Sequence, residues 1–112
     1  MLIYKILTAE QWQELQSAGE TAGAPIDVSD GYVHFSTATQ AAETAAKHFA
    51  GQDGLWLLAL EADALGDALK WEPSRGGQLF PHLYGPLRMA DPLWAKPLPL
   101  IDGEHQFPGD MA

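Results

Sequence analysis

The sequence predicts an α+β domain, and three observations predict it. Strand-type alternation recurs in short runs that crowd the second half of the chain, instead of interleaving with helices in a parallel-sheet rhythm. Two helical patterns stand in the first half, the second of them strongly periodic. The longest apolar run, Leu55 to Leu60, has the length of a strand buried on both faces and is far too short to span a bilayer. The order reads β-α-β-α-β-β-β, which fits α+β better than a doubly wound sheet. At 112 residues there is room for one domain, and a chain of this size buries roughly two-thirds of its unfolded surface without staples. Residues 1–101 are expected to form that domain and 102–112 a loosely held C-terminal tail.

The elements follow in order. Leu2 to Leu7 reads as a strand. Thr8 opens a helix, with Gln11 at capping-box spacing and Trp12, Leu15 and Ala18 on one face; Gly19 ends it. Glu20 to Asp30 reads as a loop with at most a short extended piece at Pro25 to Val28. After the Asp30-Gly31 turn, Tyr32 to Ser36 reads as a strand with Val33 and Phe35 on the core face and Tyr32, His34 and Ser36 opposite. Ser36 or Thr37 caps the next helix. Its alanine-rich stripe (Ala38, Ala41, Ala42, Ala45, Ala46, Phe49) suits close approach to a sheet, and Gly51 is read as its terminator. Leu55 to Leu60 is a central strand. A helical turn is expected within Glu61 to Leu69, extended chain at Leu69 to Trp71, a turn at Ser74 to Gly77, and a strand over Leu79 to Tyr84 that Pro81 assigns to an edge or a bulge. A last strand falls around Leu93 to Lys96.

Composition narrows the function. There is no cysteine, which excludes disulfides, thiolate metal sites, Fe–S clusters and cysteine nucleophiles. A net charge of −9 argues against broad binding to nucleic acid or anionic membrane. No secretory leader is expected, so the cytoplasm is the expected location. Nothing in the pattern specifies an oligomer. Charge is unevenly placed, however: Pro73 to Ala90 holds no acid and contains both arginines, Arg75 and Arg88. Such a cationic island suits a small phosphorylated ligand, or else two structural ion pairs with Glu72 or Asp91.

Candidate chemistry centres on two histidines. His34 lies beside Tyr32 and Ser36 just before a helix N-terminus, where free N–H groups suit an anion held by Ser36 and Thr37. The competing reading is a buried histidine bonded within the sheet. His82 sits in a Gly- and Pro-dense segment with Tyr84, between the arginines; local conflict of this kind is expected at functional places. Metal, P-loop, dinucleotide-fold and serine-hydrolase motifs are lacking.

The segments Asp30 to Ala38, His48 to Gly51, Trp71-Glu72, Ser74 to Gly77 and Phe80 to Leu87 resemble a bacterial family of unknown function with the signature HFST, HFAG, SRGG and FPHLYGPL. The resemblance spans roughly residues 3 to 100. That family's fold resembles the ADP-ribosyltransferases, which implies two small, mostly antiparallel sheets with two main helices around a cleft that grips NAD or an NAD-derived ligand. His34-Phe35-Ser36 resembles the early-strand element that contacts the adenosine side of NAD. Related RNA 2′-phosphotransferases use Arg and His around the same cleft, a part the resemblance gives to Arg75, His82 and Arg88. The chain departs from the transferase pattern in having no Glu-x-Glu, and Glu104 is the only glutamate after Glu72.

The expected site therefore has His34, His82 and Glu72 as its chemical groups and Tyr32, Ser36, Thr37, Arg75, Tyr84 and Arg88 as ligand contacts. It needs no metal. The leading reading is a nucleotide or other small phosphorylated ligand, with transferase chemistry. The alternatives are a non-catalytic binding module on the same fold and a histidine-dependent hydrolase.

Overall fold

A computed structural model describes residues 1–109 and 111, with the side chain of Arg75 outside the described residues. In chain order the elements are β1 (Leu2–Leu7), α1 (Ala9–Ala18), β2 (Glu20–Thr21), α2 (Pro25–Asp30), β3 (Val33–His34), α3 (Ala38–His48), β4 (Leu55–Glu61), β5 (Leu69–Pro73), β6 (Leu79–Leu83), β7 (Leu87–Arg88), β8 (Trp94–Leu98), β9 (Leu100–Ile101) and β10 (Glu104–His105). A 3-10 segment, Ala62–Ala68, links β4 to β5. Two three-stranded antiparallel sheets, ordered β1-β4-β8 and β3-β6-β5, carry the fold; β2-β7 and β9-β10 form two-stranded ribbons. The α+β class expected from the sequence is the one observed. No helix among the described residues is long and apolar enough to cross a membrane.

β4 is central because it is apolar on both faces. Leu58 and Leu60 join Ile3, Leu7 and Leu15 in one core, while Leu55, Leu57 and Ala59 join Tyr4, Ile6 and Ala45 in the other. α1 covers the first face through Leu15, and α3 covers the second through Ala41 and Ala45, each about 1% exposed. Alanines there let the α3 axis come close, as the sequence suggests. Both helices have capping boxes, the first as its spacing predicts and the second with Thr37, of the two candidates, as the cap: Thr8 accepts from the Gln11 amide at 3.2 Å and Thr37 from the Gln40 amide at 3.3 Å, with each glutamine returning the bond.

The two main sheets are tied by one bridge. Tyr4 N donates to Ser36 O at 2.7 Å and Ser36 N to Tyr4 O at 2.9 Å. This bridge explains why the strand expected over Tyr32 to Ser36 narrows to two paired residues. The chain leaves its partner β6 after Phe35 and crosses to β1 at Ser36.

Three other expectations are corrected. Pro25 to Asp30 is helical, not loop: Pro25 occupies the first turn, where its missing N–H costs nothing, and Gly31 closes the helix at φ 86°. α3 stops at His48 with Phe49 as its cap, ahead of Gly51, which serves the following turn at φ 73°. Pro81 lies in the middle strand of its sheet, opposite Trp71. It is tolerated because its nitrogen faces the end of the short β3 ladder. There Phe35 N donates to Pro81 O at 3.0 Å, and only the return bond is forfeited. At the C-terminus, β10 pairs with β9, and Phe107 and Met111 pack against the second core.

Leu58 is fully buried in the strand that both cores share. Truncation in Leu58→Ala should cost about 2–5 kcal/mol in chemical denaturation; a loss under about 1 kcal/mol would mean that β4 is not the organising strand.

Candidate functional site

A buried carboxylate builds the site. Asp27, on α2 and 1% exposed, accepts four hydrogen bonds. Its Oδ2 takes the Lys5 ammonium at 2.9 Å and the Ala24 amide at 2.7 Å. Its Oδ1 takes the His34 amide at 3.0 Å and His34 Nδ1 at 2.5 Å. Burial disfavours ionisation, but the bonds from His34 and the charge of Lys5 outweigh it and bring the carboxyl down to about 2. Burial pushes the Lys5 ammonium down in turn, against the pull of Asp27. Gly23 makes room: a Cβ there would sit 2.2 Å from Asp27 Oδ2, and its φ of +97° suits glycine.

His34 is thus aimed from behind. Its Nε2 lies 3.0 Å from Asp30 Oδ2, one turn along α2 from Asp27, so carboxylates meet both ring nitrogens. Directly across the ladder stands His82. The two imidazoles meet edge to face at 5.3 Å between centroids. Tyr32 lies against both, 4.6 Å from the His34 ring and 4.1 Å from the His82 ring, and Tyr84 follows at 5.2 Å from Tyr32.

His82 has its own carboxylate. Its Nδ1 donates to Glu72 Oε1 at 2.8 Å, and the Tyr84 hydroxyl donates to the same oxygen at 2.7 Å. The bonds from Tyr84 and His82 hold the Glu72 carboxyl below its ordinary range, and the Tyr84 phenol is pushed up to about 12 by the same contact. The Tyr32 phenol is also raised, by partial burial and by the charges of Asp30 and Glu72. His82 itself is buried, and its Nε2 has no hydrogen-bond partner among the described residues.

These groups line or back a cleft of about 580 Å³ walled by β1, α2, α3 and β6. Tyr32, His34, Ser36 and His82 line it, as do Lys5, Asp27 and Asp30. Ser36 Oγ pairs with Thr44 Oγ1 at 2.9 Å on its α3 side. Glu72 and Tyr84 reach the cleft only through His82 and Tyr32. Thr37 is spent on capping α3. Arg88 is not in the cleft: it is exposed on β7, opposite Glu20, because β7 pairs with β2 on a separate ribbon. The Arg75 side chain, also expected in the site, lies outside the described residues. Among the described residues no group of three His, Asp or Glu is arranged for a metal ion.

Sequence reading missed Lys5, Asp27 and Asp30. The signal for Lys5 was a lone charge in an otherwise apolar strand. Asp27 was hidden in a segment read as loop.

Residues 6–95 match the model of a family described as "Protein of unknown function (DUF952)". The chain is similar to protein CC0527 from Caulobacter crescentus. Against its crystal structure the identity is 48% and the TM-score 0.91, covering 95% of this chain and 94% of that one. Against its solution NMR structure the values are 47% and 0.83, with 93% and 90% covered. No functionally curated protein matches the chain.

Two measurements check the Asp27 arrangement. Asp27→Ala strands the Lys5 ammonium in the core and should cost about 3–5 kcal/mol. The folded Asp27 carboxyl titrates at about 2 against an ordinary 3.8. Its stabilisation, about 2 kcal/mol, is therefore complete above pH ~4 and is lost as pH falls toward ~2. Denaturation of Asp27→Asn across that interval should give a flatter profile than the parent; equal slopes would rule the carboxylate out as the acid-sensitive group.

Proposed function

The chain belongs to the DUF952 family, and from the geometry of its cleft we propose that the cleft binds a nucleotide-type ligand of the NAD-derived class. The observation that carries this is the pairing of His34 and His82 on one cleft floor, each imidazole backed by a carboxylate and both flanked by Tyr32. Aromatic rings give a nucleobase or pyridine ring a stacking surface. The Ser36 hydroxyl and the Asp30 carboxylate, both on the cleft wall, give a ribose its hydrogen bonds. The volume of about 580 Å³ falls within the range of small-molecule sites. The resemblance of His34-Phe35-Ser36 to the adenosine-contacting element of ADP-ribosyltransferases supports the same ligand class, as an argument by analogy of fold.

The charge of the described cleft refines the reading. Asp27 and Asp30 line it, Glu72 backs it, and Lys5 is already matched by Asp27. Recognition in this arrangement belongs to the sugar and base. Glu72, held beside His82, is the carboxylate that transferase chemistry would draw on. A binding module on the same fold would use the histidines and leave the ligand intact.

The test is a thermal-shift screen of the parent with NAD, ADP-ribose, AMP and a short 2′-phosphorylated RNA, followed by incubation with NAD and assay for released nicotinamide. A ligand at a hundred times its Kd should stabilise the fold by about 2.7 kcal/mol. His34→Ala should weaken binding at least about tenfold (~1.4 kcal/mol) while staying folded. Nicotinamide release separates the transferase from the binding module. No shift with any of the four compounds, or unchanged affinity in His34→Ala, would sink the nucleotide reading.

A further inference from the structure

One buried nitrogen of the cleft has no partner among the described residues. His82 is 2% exposed, and among the described residues its Nε2 has no hydrogen-bond partner. A buried polar atom left unpaired is costly, and such atoms in folded proteins call for an explanation. The opposite ring nitrogen is firmly engaged, since Nδ1 meets Glu72 Oε1 at 2.8 Å. A carboxylate can only accept, so the Nδ1 position carries the proton. In the neutral ring Nε2 then holds a lone pair and is itself an acceptor.

Glu72 is in turn held in place. The Tyr84 hydroxyl donates to the same Oε1 at 2.7 Å, and residues 72 and 82 sit on neighbouring strands whose register is fixed by Glu72↔Phe80 and Lys70↔His82. The chain Tyr84–Glu72–His82 therefore ends in a lone pair on an imidazole that helps line the cleft, its ring centroid 4.1 Å from that of Tyr32.

We propose that His82 Nε2 is the acceptor for a hydroxyl of the bound ligand, with Glu72 and Tyr84 as positioning residues that fix its tautomer. The inference rests on the nucleotide reading and adds to it the ligand feature recognised: a free ribose hydroxyl arriving past Tyr32. A donor is the one partner that this nitrogen lacks. A ligand without that hydroxyl leaves the atom as orphaned as it is now, and gains correspondingly less by binding.

The experiment uses the full chain, uniformly ¹⁵N-labelled, with AMP, 2′-deoxy-AMP and 3′-deoxy-AMP as probes. Long-range ¹H–¹⁵N correlation spectra should show His82 protonated at Nδ1 and bare at Nε2, the reverse of the tautomer that free histidine prefers. AMP should move the Nε2 resonance upfield and bind about tenfold or more tighter than one of the two deoxy forms. Glu72→Ala should shift the tautomer toward Nε2–H and abolish the discrimination, whereas Glu72→Gln, whose amide oxygen still accepts, should restore both. Glu72 is partly exposed, so neither change removes core packing. A protonated Nε2 in the parent overturns the inference and leaves the nucleotide reading standing. So does equal binding of all three nucleotides. Failure of every nucleotide to bind overturns the nucleotide reading, and this inference with it.

Discussion

One buried carboxylate holds three parts of this molecule in register. Asp27 joins the Lys5 ammonium of β1, the Ala24 amide at the start of α2 and both the amide and the ring of His34 on β3. A buried charge persists only when it is paired and hydrogen-bonded. Asp27 meets that condition with four donors, and each donor thereby becomes fixed. Gly23, with its positive φ and no Cβ, is a direct consequence of the space the carboxylate needs.

The site inherits its geometry from this arrangement and from the sheet beside it. Asp27 orients His34; the antiparallel ladder sets His82 opposite it; Glu72 and Tyr84 orient His82 from the far side. Tyr32, leaving α2 through the left-handed Gly31, is laid against both rings. Each functional side chain is thus held by a second one, which is how a cleft keeps its groups in place before a ligand arrives. The Tyr4–Ser36 bridge matters for the same reason, since it joins the two sheets at residues that themselves line the cleft.

Electrostatics divides the surface differently from the sequence. Both arginines lie in the acid-free stretch, yet backbone pairing carries Arg88 onto the β2-β7 ribbon, away from the histidines. Among the described residues the cation that lines the cleft, Lys5, comes from β1 at the other end of the chain, and its charge is answered by Asp27. Nearness in sequence is a poor guide to which charges share a site when the strands between them belong to different sheets.

Local periodicity and capping are legible in the chain alone. The double-sided apolarity of Leu55 to Leu60 required a central strand. Thr8-Gln11 wrote its own capping box, the alanine stripe suited close packing on a sheet, and the His82 segment was marked by a Gly- and Pro-dense composition that is costly for plain structure. Long-range pairing, by contrast, makes His34 and His82 cross-strand partners, puts Pro81 in a middle strand where the ladder beside it runs out, and makes Asp27 the hub of the site. The physical reason is common to all three. Each depends on strand order and register between segments far apart in the chain, where a hydrogen bond has one fixed direction and a buried charge must find its partner, and neither constraint leaves a periodic trace in the residues that satisfy it.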